Sequence, residues 1–368
     1  VTVVIAGGGT GGHTSPGLAV AALLRRRGVS HAWIGSHDGV EARRAVEEDI
    51  PYHAIPTGKL RRYWAWRNVS DLAVNVPAGI VRAQILLARL RPRVVLATGG
   101  FVALPVVLAA AVARVPVVVH EQTAVPGLAN RIAARLARRI AVTFADSARH
   151  FPTGRVVVTG NPLRPDLRTG SRADALARFA LDPALPLVYV TGGALGAHAI
   201  NRAVGAIAAD LLAQAQVVHQ CGDNAATGDR VWLESVRAGL PLGLARRYTV
   251  RPWVGAELAG IYATAALVVA RSGAGTVNEC CQLGLPALYV PMPGASGDEQ
   301  TANARLVAAA GGCVVVPQAT LTPGLLLERI RALLADPAGL KTMGERARRL
   351  AVPDAAERLV GLLLEVAA

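Results

Sequence analysis

Aromatic residues are scarce in this chain: Phe, Trp and Tyr together make up 4% of its 368 residues, and methionine occurs twice. A core built with so few rings must be filled by Ala, Val and Leu, a makeup that suits parallel strands buried under helices. Cysteine is equally sparse. Cys221, Cys280, Cys281 and Cys313 form no CxxC pair and no zinc spacing, and the adjacent Cys280 and Cys281 are poorly placed to join each other. A disulfide framework is excluded, and free thiols in a reducing compartment are expected. No Asp stands two residues from another, so a DxD pair able to hold a divalent ion is absent, as is HExxH. Ser272 sits in ARSGAG, where Ala270 replaces the first glycine of a GxSxG nucleophile elbow. Metal-centred and serine-hydrolase chemistry are therefore not expected.

Long apolar runs are missing too. The longest, Phe101 to Ala113, contains Pro105 and stops at Arg114, short of the roughly 18 residues that a spanning helix needs. The opening VTVVIA is too short for the apolar part of a signal peptide and follows no basic residue. A soluble or peripheral protein is expected.

What the chain has in quantity is small aliphatic residues and positive charge. Hydrophobic residues make up 52%, ample for buried sheets. Lys and Arg number 39 against 25 acids, a formal charge of +14, which draws polyanions such as anionic lipid, nucleic acid or phosphorylated small molecules. The length favours two domains over one enlarged core. Short β-branched runs alternate with Ala/Leu/Arg segments of helical period: VTVVIA, HAWIG, VVLAT, VPVVVH, RIAVTF and RVVVTG, then LVYVTG, QVVHQC, ALVVAR, ALYVPM and CVVVP. Strand, glycine turn and helix in repeated order predict open parallel α/β sheets, built twice. A polar stretch with four prolines, residues 159–186, reads as the linker. The domains are expected over 1–161 with 352–368, and over 162–351, the segment from Asp354 returning to the first.

Four glycine-rich segments each follow a predicted strand: AGGGTGGH (6–13), ATGGFVALP (97–105), TGGALGA (191–197) and RSGAGTVNE (271–279). Glycine lets the backbone approach a phosphate, and a helix start supplies free N–H groups and a positive dipole end. Four such turns at the carboxyl ends of parallel strands predict one large site for multiply phosphorylated ligands. Gly7, Gly9 and Gly12 also satisfy GxGxxG, but the second strand ends in Gly35 and Ser36 where a dinucleotide site wants an acid, with Asp38 only nearby. His13 closes the first loop, placed to bind a diphosphate oxygen or accept a hydroxyl proton. Glu279, one turn into the helix opened by Ala274, Gly275 and Thr276, suits a ribose diol. Glu299, Gln300 and Asn303 suit sugar hydroxyls.

Residues 57–93 carry eight basic side chains against Asp71 alone, with Tyr63, Trp64 and Trp66 interleaved and Leu72, Val76, Ile80 and Val81 at roughly helical spacing. Cations beside amphipathic rings are the makeup of a patch for an anionic membrane surface, though RNA binding could use the same ingredients and an ordinary helix with its apolar stripe inside is the plain alternative.

Together, GGGTGGHTSPGLAVA, GGFVALP, HEQTAVPGLANR, TGNPLRP, GGALGA, RSGAGTVNE and DEQTANA resemble, in order, the motifs of the MurG family of peptidoglycan glycosyltransferases. The resemblance implies a GT-B fold, two Rossmann-like parallel-sheet domains facing a cleft. It implies an inverting transfer of N-acetylglucosamine from UDP-GlcNAc to the muramyl 4-hydroxyl of lipid I, giving lipid II, with no metal and no cofactor. The setting implied is the cytoplasmic face of the cell membrane. By that likeness Arg164 and the main chain near Val254 hold uracil, Glu279 ribose, Ala274, Gly275 and Thr276 the diphosphate, and Gln300 the sugar. Thr10, Thr123, Ala194, Val277 and Asn278 complete the donor contacts, with Gly11 and Gly12 shared. Gly11, Gly12, His13, Gly99 and Gly100 take the acceptor diphosphate. His13 is the expected base, with Glu121 second. Three positions depart from the pattern: Thr123 replaces an asparagine, Ala194 a serine, and His198 an arginine that often follows the third loop. A paralogue acting on another phospholipid-linked acceptor, or a silent nucleotide-binding scaffold, are the competing readings.

Overall fold

A computed structural model describes residues 2–58, 74–294 and 296–368. All eleven strand candidates form strands, and two edge strands join them. In the first unit, Val1–Arg164 with Val352–Ala368, these are β1 (Val3–Gly7), β2 (His31–Gly35), β3 (Tyr52–Ala54), β4 (Val94–Gly99), β5 (Val117–Glu121), β6 (Arg139–Val142) and β7 (Val156–Val158). They pair in the order β3-β2-β1-β4-β5-β6-β7, every pair parallel. The second unit, Pro165–Ala351, holds β8 (Leu187–Thr191), β9 (Gln216–Gln220), β10 (Tyr248–Arg251), β11 (Ala265–Ala270), β12 (Ala287–Tyr289) and β13 (Cys313–Val315). Their order is β10-β9-β8-β11-β12-β13, again wholly parallel.

The central strands are buried on both faces. β1, β4, β5, β8 and β9 are buried along their whole length, which is why they read as continuous runs of Val, Ile, Leu and Ala instead of alternating. In the first unit the helix Gly11–Arg26 covers one face with the closing helix Ala355–Ala367, whose Leu359, Val360 and Leu363 are fully buried there. Trp33 on β2 is fully buried in that layer and donates its indole N–H to the Gly7 carbonyl at 3.0 Å. Gly17 makes room for it: a Cβ there would lie 2.4 Å from the ring. On the other face the helix Val76–Leu90 packs against the helix Ala103–Val112. The stretch 159–186 is no open linker. Leu163, Leu167, Ala175 and Phe179 are buried, and the helix Arg172–Phe179 packs on Leu258–Thr264.

Each sheet reverses its strand order once, between β1 and β4 in the first unit and between β8 and β11 in the second. At such a switch point the connections leave in opposite directions and open a crevice beyond the strands' carboxyl ends. The four glycine segments follow β1, β4, β8 and β11, so each unit has two of them flanking its own reversal.

Candidate active-site residues

At the first reversal, the segments meet because glycine allows it. Gly7 pairs with Gly99 across a register shift. Gly99 and Gly100 have φ of 103° and 78°, values that side chains rarely adopt. A Cβ on Gly99 would stand 2.9 Å from His13 Nδ1, and one on Gly100 would stand 2.4 Å from the Gly8 carbonyl. The exposed Thr10 precedes the helix Gly11–Arg26 in extended conformation without a side-chain cap, and the first turn has no acid. Its opening N–H groups, those of Gly11 and Gly12 included, thus face outward with the dipole's positive end. Gly9 differs: its N–H is donated at 3.0 Å to Glu41, a carboxylate with no solvent exposure. Glu41 also receives the Ser36 N–H at 3.1 Å and the Ser36 hydroxyl at 2.5 Å. The acid missing from the end of β2 has a counterpart here, in the next helix (Val40–Glu47), but it braces the loop from beneath.

His13 is half-buried, and its Nδ1 lies 3.1 Å from both the Thr98 carbonyl and Gln122 Oε1. Glu121 is placed differently. It is buried, one oxygen taking the Thr123 N–H at 2.9 Å and facing the Thr123 hydroxyl at 2.6 Å, the other taking the Asn130 amide at 2.8 Å. That is a carboxylate that fixes a turn. Thr123 is likewise buried, with its hydroxyl also 2.7 Å from the Val125 carbonyl. Two buried polar atoms nearby, Thr98 Oγ1 and Asn130 Oδ1, have no hydrogen-bond partner among the described residues.

At the second reversal the loop after β8 turns through Gly193 and Gly196, with φ of 79° and 74°. Ala194 is exposed on it. His198 opens the next helix and pairs through Nδ1 with Asp229 Oδ1 at 2.8 Å. Burial works against the Asp229 charge, but hydrogen bonds from Asn201 and His198 outweigh it and hold its carboxyl below the usual range. After β11 the helix Ala274–Leu283 follows Gly273, again uncapped and without an acid in its first turn. Ala274, Gly275 and Thr276 offer main-chain N–H groups there, while Val277 already donates to the Gly273 carbonyl at 3.0 Å. Val277 is fully buried, and Asn278 folds its amide back onto the Ala274 carbonyl at 2.8 Å.

Glu279 is half-buried and oriented by the Tyr262 hydroxyl, which donates at 2.8 Å. Ser272, fully buried, ties the turn to the following helix by donating to the Gln300 carbonyl at 2.7 Å. Gln300 Oε1 receives the Met292 N–H at 3.0 Å, which leaves the amide nitrogen as its donor end. Asn303 is buried and donates to the Ser272 carbonyl at 3.1 Å. Val254 is buried, its N–H donated to Gln220 Oε1 at 3.3 Å; only its carbonyl remains for a base edge. Gln220 also receives the Tyr189 hydroxyl and donates to the Gly193 carbonyl, linking three segments. Arg164 is the half-buried last residue of the first unit's long segment.

Sequence reading missed Glu41, Gln122, Gln220 and Tyr262. Gln122 stood inside a quoted motif; the others stand in no glycine segment, and their partners are 32, 34 and 17 residues away. The four cysteines are free and buried. No helix of the described residues is long and apolar enough to cross a membrane.

Residues 3–142 match the glycosyltransferase family 28 N-terminal domain, and residues 187–359 match that family's C-terminal domain. A UDP-N-acetylglucosamine--N-acetylmuramyl-(pentapeptide) pyrophosphoryl-undecaprenol N-acetylglucosamine transferase of Nocardioides sp. is 40% identical over 99% of this chain and 98% of its own length. The protein of the same name from Halothermothrix orenii is 35% identical over 99% of each. The crystal structure of Acinetobacter baumannii MurG matches with a TM-score of 0.74 and 29% identity over 99% of each chain. Two Rossmann-like parallel-sheet units in one chain are the GT-B class. Matched over both domains and nearly its whole length, this chain belongs to the MurG family and is a family 28 glycosyltransferase.

Proposed function

We propose that this chain moves N-acetylglucosamine from UDP-GlcNAc to the 4-hydroxyl of the muramyl sugar of lipid I, making lipid II, with inversion and without a metal. The observation that carries the reading is the difference between the two reversals. The first presents an imidazole beside an uncapped helix start. The second presents an uncapped helix start with a tyrosine-held carboxylate one turn in. The first suits a diphosphate-linked acceptor whose hydroxyl loses a proton, and the second a nucleoside diphosphate with its ribose.

In this mechanism the acceptor diphosphate lies against Gly11, Gly12, Gly99 and Gly100. The donor diphosphate lies against the N–H groups of Ala274, Gly275 and Thr276, with ribose on Glu279, sugar on Gln300, and uracil on Arg164 and the Val254 carbonyl. The acceptor O4 bonds to the anomeric carbon as the bond from that carbon to the UDP oxygen breaks. The hydroxyl proton passes to His13. The charge left on UDP is stabilised by the helix dipole and its N–H groups, the usual means of lowering such a barrier.

The membrane contact rests on one described stretch of residues 57–93. The helix Val76–Leu90 buries Gly79, Ala83, Leu86 and Leu87, while Val74, Val81 and Ile85 stand 62%, 56% and 53% exposed, with Arg82 and Arg89 beside them. Apolar side chains outward among cations suit an anionic surface, here the cytoplasmic face. Lys59, Arg61, Arg62, Tyr63, Trp64, Trp66, Arg67 and Leu72 lie outside the described residues.

The test is UDP release with UDP-GlcNAc and a lipid I analogue. Turnover that survives a chelator, gives an inverted linkage and falls by roughly 10²–10⁴-fold in His13→Ala supports the reading, that being the range a positioned base supplies. Release with a different acceptor alone would favour a paralogue, and none with any would leave a scaffold.

A further inference from the structure

The imidazole of His13 has its chemistry set from behind. Its Nδ1 faces two oxygens, the Thr98 carbonyl and Gln122 Oε1, each at 3.1 Å. A carbonyl oxygen cannot donate, so only a protonated Nδ1 satisfies the contact to Thr98. The contact to Gln122 leads to the same proton provided the amide has its oxygen on that side, and its other end settles this. Gln122 Nε2 lies 2.6 Å from the Thr98 carbonyl, 3.2 Å from the His120 carbonyl and 3.1 Å from His120 Nδ1. Two carbonyls at one end demand the NH₂ there. His120 Nε2 in turn lies 3.0 Å from the Gly160 carbonyl, so it bears the proton of that ring and leaves His120 Nδ1 as an acceptor for the Gln122 amide.

We infer that Gln122, held by His120, is a positioning residue that locks His13 with its proton on Nδ1, leaving Nε2 as the bare nitrogen that receives the acceptor's proton. The inference rests on the reading of His13 as the base. Both members of the relay are buried, at 1% and 0% exposure. Burial pushes His120 down to about 4, against a smaller opposing effect of the Gly160 hydrogen bond. His120 therefore stays neutral at working pH and cannot turn the relay round by charging. When Nε2 takes the proton, the cation formed keeps its Nδ1–H on two oxygen dipoles in place, so no group must reorient during the transfer.

Enzyme labelled with ¹⁵N-histidine gives the test, with His13→Gln used to assign the signal. In the wild type at neutral pH, Nδ1 of His13 should appear protonated and Nε2 bare. In Gln122→Leu the population should move toward the Nε2–H form. The kcat should fall at least tenfold while the KM for the UDP-sugar changes less than threefold. Gln122→Glu keeps an oxygen on His13 Nδ1 and should retain the wild-type tautomer. A wild-type His13 with its proton on Nε2 overturns the inference without any variant being needed. An unchanged tautomer in a folded Gln122→Leu overturns the part given to Gln122 and His120. If instead the tautomer is as assigned but His13→Ala keeps its turnover, the relay stands and the base reading fails.

Discussion

Glu41 accepts the main-chain N–H of Gly9 at 3.0 Å from a position with no exposure to solvent. A carboxylate under a loop meant for diphosphate looks electrostatically misplaced, but its charge is engaged by the Gly9 and Ser36 N–H groups and the Ser36 hydroxyl. The glycines at 8 and 39 make that possible, since a Cβ at either would fall about 2.1 Å from the carboxylate. Glu41→Gln keeps the size but turns an amide N–H₂ toward at least one donor. It should cost about 1–3 kcal/mol, the price of a buried donor left unpaired, read from urea unfolding. Because the brace lies under the acceptor loop, the KM for the lipid substrate should rise more than that for UDP-GlcNAc.

Tyr262 holds Glu279 by one hydrogen bond at 2.8 Å and meets Tyr189 edge-on at 5.7 Å between ring centres. Tyr262→Phe keeps the ring packing and removes only the hydroxyl. A hydrogen bond to a charged group contributes about 1.5–3 kcal/mol, so Glu279 without this bond should bind ribose roughly tenfold more weakly. Calorimetric titration with UDP checks this, with lipid-substrate KM as the control that should not move. Glu279→Gln should weaken UDP similarly if the carboxylate accepts the diol. Unaltered UDP affinity in both would remove Glu279 from the donor site.

The sheets were legible in the sequence because doubly buried parallel strands are written as unbroken aliphatic runs. VVIAG and VVLATG could hardly be anything else between glycines and helices. The two strands that escaped are edges: Tyr52–Ala54 has three residues after Pro51, and Tyr248–Arg251 lies among arginines. An edge is buried less completely and carries a weaker pattern. The glycine segments were equally plain, since positive φ at Gly99, Gly100, Gly193 and Gly196 leaves little choice of residue. What the sequence concealed was division of labour among polar neighbours. Glu121, Gln122 and Thr123 are consecutive, at and just past the end of β5, yet they have different partners: Asn130 and the following turn for Glu121, His13 for Gln122. Which of three adjacent polar residues touches the chemistry depends on contacts between distant segments, and no local pattern records them.

Each unit buries one histidine completely, His120 in the first and His219 in the second, and this makes stability depend on pH in a defined direction. His219 Nε2 faces Asn201 Oδ1 at 3.0 Å and its Nδ1 the Tyr248 hydroxyl at 2.8 Å. Burial lowers His219 to about 3, a nearby Asp229 opposing it only in part, and lowers His120 to about 4. Unfolded, both rings titrate near 6.5, so above that pH neither state holds the extra protons and stability is level. As pH falls below 6.5 the unfolded chain takes up protons that the folded rings refuse, and stability drops until each folded value is reached. Between pH 6 and 4.5 unfolding should absorb close to one proton per unit from these rings, and the loss from each should approach about 3 kcal/mol at the acid end. Urea unfolding at a series of pH values measures the slope. His219→Gln should lower stability at neutral pH by breaking the bonds to Asn201 and Tyr248, yet flatten the acid slope of the second unit and leave that of the first unchanged. A slope unaltered by the substitution would mean that His219 is already protonated in the folded protein, with Asn201 and Tyr248 both acting as acceptors.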